Sequence, residues 1–256
     1  MVCAGDLYDY IDSFAPFRSA MSFDNPGLLV GDREMSVTSV VLSLDITPPV
    51  VLEASQLGAQ LIISHHPVIF NPLKKIDTGS APYLLAKYGV TAICAHTNLD
   101  MAAGGVNACL ATHLQLQNVR MLSEYETSGL PEALVGETAG EYAPAAFAGF
   151  VKEVLGCDGL RYTDGARAIT RVGLCSGGGA DLVYAAAEYG CQAFVTGESK
   201  HNILLDAENM GMTLVDAGHF YTEDIVIQPL MDRLKEQFSN VSFTKSKQMH
   251  SPAKYL

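Results

Sequence analysis

Two adjacent histidines, His65 and His66, close an apolar run that reads LIISHHPVIF over residues 61–70. Neighbouring residues on a strand point to opposite faces, so the pair cannot share one core. A strand that ends there puts both at its C-terminal edge, where α/β proteins place their ligand crevices. Further along, AHTNLD carries His96 and Asp100, and GHFYTE carries His219 and Glu223, each a histidine followed four residues later by a carboxylate. Imidazole and carboxylate donors suit zinc, manganese, iron, nickel or cobalt, and the lack of a cysteine among them removes the thiolate-selective sites. Roughly six donors fit a pair of ions ~3.5–4 Å apart with coordination positions left for water. Taken singly, each pair is better read as a helix-start charge beside a satisfied histidine. On repeated strand tips, the metal reading outweighs that one.

Strand-like and helix-like patterns alternate along the chain. SVTSVVLSLDI, QLIIS and VTAICA read as strands, separated by helical PPVVLEASQLGA and APYLLAKYG, and GVNACLATHLQL follows as a helix. AITRVGLC, CQAFVTG and MTLVDA repeat that rhythm around ADLVYAAAEYG and HNILLDAENMG, and EDIVIQPLMDRLKEQF closes with an amphipathic helix. The alternation predicts layered α/β architecture with a largely parallel or mixed sheet. It also repeats internally. VVLEASQLGAQLIISHH aligns with LVYAAAEYGCQAFVTGE, matching Gly58 to Gly190 and Gln60 to Gln192; YGVTAICAHTNLD aligns with MGMTLVDAGHFYTE, matching Gly89 to Gly211. One inserted residue then brings His96 and Asp100 onto His219 and Glu223. The expected division is 1–126 for the first α/β repeat and 127–256 for the second, with the final helix available to pack on the first. The polar, glycine-rich stretch SEYETSGLPEALVGETAGEYAP marks the boundary, and its length fits an edge hairpin equally.

Acidic residues number 28 against 16 basic, a net charge of −12, which argues against a nucleic-acid surface that must displace counterions. No apolar run approaches the ~18 residues of a membrane span, and the start lacks a cationic leader pattern. Six scattered cysteines without a CxxC spacing read as buried free thiols. The expected setting is the reducing cytoplasm.

The segments SFDNPGLLVGD, LDIT, ISHHP, AHTNLD, TGESKHN and DAGHFYTE resemble those of the YbgI-like dinuclear metal family, whose members are often named GTP cyclohydrolase I type 2 homologues. The resemblance covers nearly the whole chain. It implies two intertwined α/β repeats with mixed sheets and a dinuclear metal site between them, in subunits assembled as a ring-shaped homohexamer. It implies two divalent transition-metal ions per chain, with His65 and His66 on different ions, Asp100 and His219 as further ligands, and Glu223 bridging both. The resemblance puts His96 near the metals without making it a ligand; the internal repeat would make it one, and we read it as a residue behind the ligands or one that transfers a proton. Two departures stand out. Phe23 replaces the usual tryptophan before the DN of the first motif, and the extra central domain of longer members is absent.

Weaker motifs remain. CSGGGAD, residues 175 to 181, reads as a tight turn or close packing rather than a dinucleotide fingerprint. Glu198 could take a proton and Lys200 neutralise a phosphate, or both could be a solvated helix start; Lys74 and Lys75 could greet an anion. Two functions follow. One is a hydrolase in which a metal-bound hydroxide attacks a small-molecule substrate, either a phosphoester or the purine ring of a nucleotide, as the family name implies. The other is a metal-loaded scaffold or metal-handling protein without turnover.

Overall fold

Four-residue apolar runs form the central strands of two sheets, and their complete burial explains why they read as continuous rather than alternating patterns. A computed structural model describes residues 1–126 and 128–256. It divides into two units, Met1–Leu99 with Val226–His250, and Asp100–Ile225 with Ser251–Leu256.

In the first unit, α1 (Ala4–Phe14) precedes β1 (Gly27–Val30), β2 (Ser39–Ser43), α2 (Pro48–Gln56), β3 (Leu61–Ser64), α3 (Ala81–Tyr88) and β4 (Thr91–Cys94). A one-turn helix, α4 (Thr97–Asp100), follows β4 and ends at the division. The chain returns to this unit with α10 (Ile227–Gln237) and β11 (Ser242–Lys245). The strand order is β1-β4-β3-β2-β11, parallel except for antiparallel β1. Thr47 caps α2 and prolines fill its first turn, where missing N–H groups cost nothing. Val50, Val51, Ala54 and Leu85 from α2 and α3 bury against Val41, Ile62 and Ala92 of the sheet. Burying each such aliphatic side chain contributes about 1.5–3 kcal/mol. The final helix packs on β11 and β2, within the first unit.

The second unit contains α5 (Val106–His113), β5 (Gln117–Glu124), β6 (Pro131–Tyr142), α6 (Pro144–Leu155), β7 (Arg161–Tyr162), β8 (Ile169–Leu174), α7 (Val183–Glu188), β9 (Ala193–Thr196), α8 (His201–Asn209), β10 (Thr213–Asp216) and α9 (His219–Glu223). Its strand order is β5-β6-β8-β9-β10-β7, with β8, β9 and β10 parallel and the rest antiparallel. The stretch expected as a boundary supplies the last two residues of β5 and all of β6, an antiparallel pair at one side of this sheet. The expected border between 126 and 127 abuts Thr127, which lies outside the described residues. Among the described residues, no helix is long and apolar enough to cross a membrane.

The internal repeat is visible in both sheets. Each contains a matching set of three parallel strands, β2-β3-β4 and β8-β9-β10, whose last member pairs with an antiparallel strand encoded just upstream of the set: β1 beside β4, and β7 beside β10. The matched glutamines do the same work. Gln60 Oε1 accepts from Thr38 N, Thr38 Oγ1 and Ser39 N, and Gln192 Oε1 accepts from Thr170 N, Thr170 Oγ1 and Arg171 N. Their amides donate to the carbonyls of the matched glycines, Gly58 and Gly190.

Candidate metal centre

Three imidazoles gather at the C-terminal tips of β3 and β4. One ring nitrogen from each of His65, His66 and His96 lies within 4.8 Å of the others, and the ring centroids are 5.0 to 5.5 Å apart. Acceptor-only partners fix their tautomers. His65 Nδ1 donates to the Ala95 carbonyl at 2.9 Å, His66 Nδ1 to Asp45 at 2.8 Å and His96 Nδ1 to Asp24 at 2.7 Å. The proton therefore sits on Nδ1 in all three, leaving Nε2 as the basic, metal-binding nitrogen. An imidazole backed by a carboxylate or carbonyl is the usual arrangement behind a metal ligand, because the partner orients the ring and raises its basicity.

Asp24 is the most constrained of these partners. Its side chain is fully enclosed and also accepts from Thr97 N at 3.1 Å and from the Thr97 hydroxyl. Burial by itself would raise the carboxyl, but the bonds from His96 and Thr97 outweigh it and hold the Asp24 pKa down to about 2. The carboxylate four residues beyond His96 is not its Nδ1 partner; that partner is Asp24. Asp24 and Asp45 were not singled out by spacing. They lie 72 and 21 residues from the histidines they hold, and only the segments SFDNPGLLVGD and LDIT pointed to them.

The second unit carries the other donors. Asp100, on the last residue of α4, and Glu223, closing α9, place carboxylate oxygens within 4.8 Å of each other. His219 opens α9, and the i,i+4 geometry of that single turn puts its Nε2 2.8 Å from Glu223 Oε2. Glu198, in the loop after β9, lies 3.4 Å from His219 Nδ1 and is largely exposed. Its loop is held by Asp216 at the end of β10, which accepts from Ser199 N and Ser199 Oγ at 3.1 Å each and pairs with Arg161.

The glycine-rich turn after β8 is shaped by these donors. Gly177 has φ +55°, and a Cβ there would fall 2.1 Å from Glu223 Oε1 and 3.2 Å from His219 Nε2. Its carbonyl accepts from Gly197 N at 2.9 Å, Glu198 N at 3.0 Å and Thr196 Oγ1 at 3.2 Å. The turn is tight, as expected, and its missing side chain is what admits the Glu223 carboxylate. Cys175 precedes it. Burial first, then the nearby Asp100, Glu132 and Glu223, push its thiol well above the ordinary range, so it stays protonated and donates to the Glu132 carbonyl. Thiolate ligation is absent from this donor set. All six cysteines are free.

Glu198, Ser199 and Lys200 also line an open cleft of about 350 Å³ with Gly178, Asp181 and Ile203. Lys200 is the exposed residue preceding α8. Lys75 pairs with Asp77 at 3.3 Å on the loop after β3. The donor chemistry throughout, imidazole Nε2 and carboxylate oxygen, fits divalent transition metals.

Proteins of known sequence or structure are similar to this chain over nearly its whole length. A Clostridium perfringens protein called GTP cyclohydrolase 1 type 2 homolog is 32% identical over 260 residues, covering 98% of both chains. A Campylobacter jejuni protein of the same name is 31% identical, covering 94% of this chain and 96% of its own. Among solved structures, Staphylococcus aureus hypothetical protein SA1388 superimposes with a TM-score of 0.92 at 28% identity, covering 100% of this chain and 99% of that one. The protein ybgI, described as of unknown function, shares the fold with a TM-score of 0.87 at 24% identity, covering 98% and 100%. The Duf34/NIF3 (NGG1p interacting factor 3) profile matches residues 2–252, and the chain belongs to that family.

Proposed function

We propose that His65, His66, Asp100, His219 and Glu223 hold two divalent transition-metal ions, drawn from zinc, manganese, iron, nickel and cobalt, in a hydrolase acting on a nucleotide or phosphoester. The observation that carries this reading is the fixed tautomer of three crowded imidazoles. Each commits Nδ1–H to an acceptor, and one ring nitrogen of each lies within 4.8 Å of the others. Such a pair of ions supplies Lewis acidity and a water acidified to near neutral pH.

The chain's own groups supply the rest. Glu223 has two oxygens, one beside His219 and the other against Gly177, which suits a bridging carboxylate. His96, backed by the ionised Asp24, takes and returns a proton at Nε2. Glu198 steadies His219 through Nδ1 or accepts a proton at the rim of its cleft. The names of the relatives make a purine nucleotide the first substrate to try. In this reading the protein works in the cytoplasm as a homohexameric ring.

The test combines metal analysis with turnover. Wild type should bind two ions per chain; Glu223→Ala should lose both, and His65→Ala should mainly weaken one. The loaded wild type is then screened against nucleotides, phosphoesters and small amides, with Glu223→Ala as the blank. One ion per chain, or full loading of the Glu223 variant, would overturn the ligand assignment. Full loading with no turnover in any class returns the metal-scaffold reading.

A further inference from the structure

Two phenylalanines sit on the outside of the first unit beside its histidines. Phe23 is 62% exposed and Phe70 43% exposed. Their ring centroids are 6.4 Å apart, and Phe70 meets the His96 ring edge-on at 6.3 Å. Phe70 therefore stands between Phe23 and a metal-side imidazole. Exposing such large apolar rings side by side forgoes their burial energy, so their placement is informative.

The backbone under both rings is pinned. Asp24, next to Phe23, is fully enclosed and bound to His96 and Thr97. Asn25 Nδ2 donates to the Ile69 carbonyl at 2.6 Å, tying the segment before Phe70 to the segment after Phe23. The rings project from a frame already fixed by the histidine network, which is how a stacking surface is preorganised. The same loop continues into Lys74 and Lys75, adjacent positive charges in a chain of net charge −12. Lys75 is engaged by Asp77, whereas Lys74 makes no ion pair among the described residues. Exposed aromatic faces followed by a cation complement a flat ring that carries a negative group.

We propose that Phe23 and Phe70 form a stacking ledge for the heteroaromatic ring of an anionic ligand, a nucleotide in chemical class, and present it to His96. This deepens the hydrolase reading by assigning what recognises the ring, and it rests on that reading for the ligand's fate but not for its binding. Stacking requires no metal. The two ideas can therefore fail separately.

The chain contains no tryptophan, so Phe23→Trp introduces a single fluorescent reporter on the ledge. In metal-free protein, GMP should quench that emission saturably, and ribose 5-phosphate at the same concentration should not. Adding Phe70→Ala should weaken GMP by roughly tenfold or more. Lys74→Ala should weaken it further and flatten its salt dependence. Tyr184→Trp, at an exposed position on α7, serves as the control and should show only absorbance losses. Because both rings are exposed, Phe23→Ala and Phe70→Ala should keep the wild-type melting temperature. Absence of specific quenching in a protein with unchanged melting would overturn the ledge, whatever the metal content. Equal quenching by ribose 5-phosphate would do the same. A lower mass by light scattering for Phe23→Ala, without any nucleotide effect, would assign the rings to a contact between copies instead.

Discussion

His96 is set up by a residue 72 positions upstream, and the pair makes a clear acid-range prediction. Asp24 is held at about 2, below the ordinary carboxylate value of 3.8, so its ionised form stabilises the folded chain. That contribution is complete above the unfolded value and fades as pH falls toward the folded one. Metal-free wild type should lose about 2 kcal/mol relative to Asp24→Asn between pH 5 and pH 2, read by urea unfolding. Parallel curves for the two proteins would show that the carboxylate carries no such energy. On the proposed chemistry, His96→Ala should lower kcat by about 10²–10⁴-fold with metal content unchanged. Loss of metal in proportion to activity would make His96 a ligand, as the internal repeat suggested. Asp24 itself was not legible as a partner, because a contact across 72 residues leaves no local spacing.

At the scale of elements, the repeated glutamines are structural keystones of equal design. Gln60 and Gln192 each satisfy two backbone N–H groups at the start of the adjoining strand. Substituting either by alanine should cost about 1–3 kcal/mol, since the N–H groups lose their acceptor. Similar losses at both positions, measured by thermal or chemical unfolding, are expected; a large cost at only one would break the equivalence. Four central strands were legible because complete burial writes itself as apolar runs: LIIS, TAIC, AFVT and TLVD are buried at every position. Strands β1 and β11 were not, since GLLV and SFTK are short, partly exposed edges. The one-turn helices α4 and α9 are too brief for periodicity, yet their four-residue spacing marked the donors. Gly177 was legible as a turn but not as the neighbour of Glu223, a contact made by the fold.

For the whole molecule, assembly is read from its mass in solution. If the hexamer proposed for this family member forms, light scattering at micromolar concentration should return six times the chain mass of 27.4 kDa. A monomeric mass would rule it out. The chain order has a consequence of its own. Strand β11 covers the edge of β2 but is encoded about 200 residues later, after the whole second unit except its last six residues. On a ribosome adding roughly 5–20 residues per second, that edge waits about 10–40 seconds for its partner. The second unit, apart from its last six residues, emerges continuously and can fold during that interval, whereas the first, although begun earlier, waits for its final helix and strand. A nascent chain paused before Ser242 therefore exposes an open parallel edge, the species on which chaperones and misassembly would act.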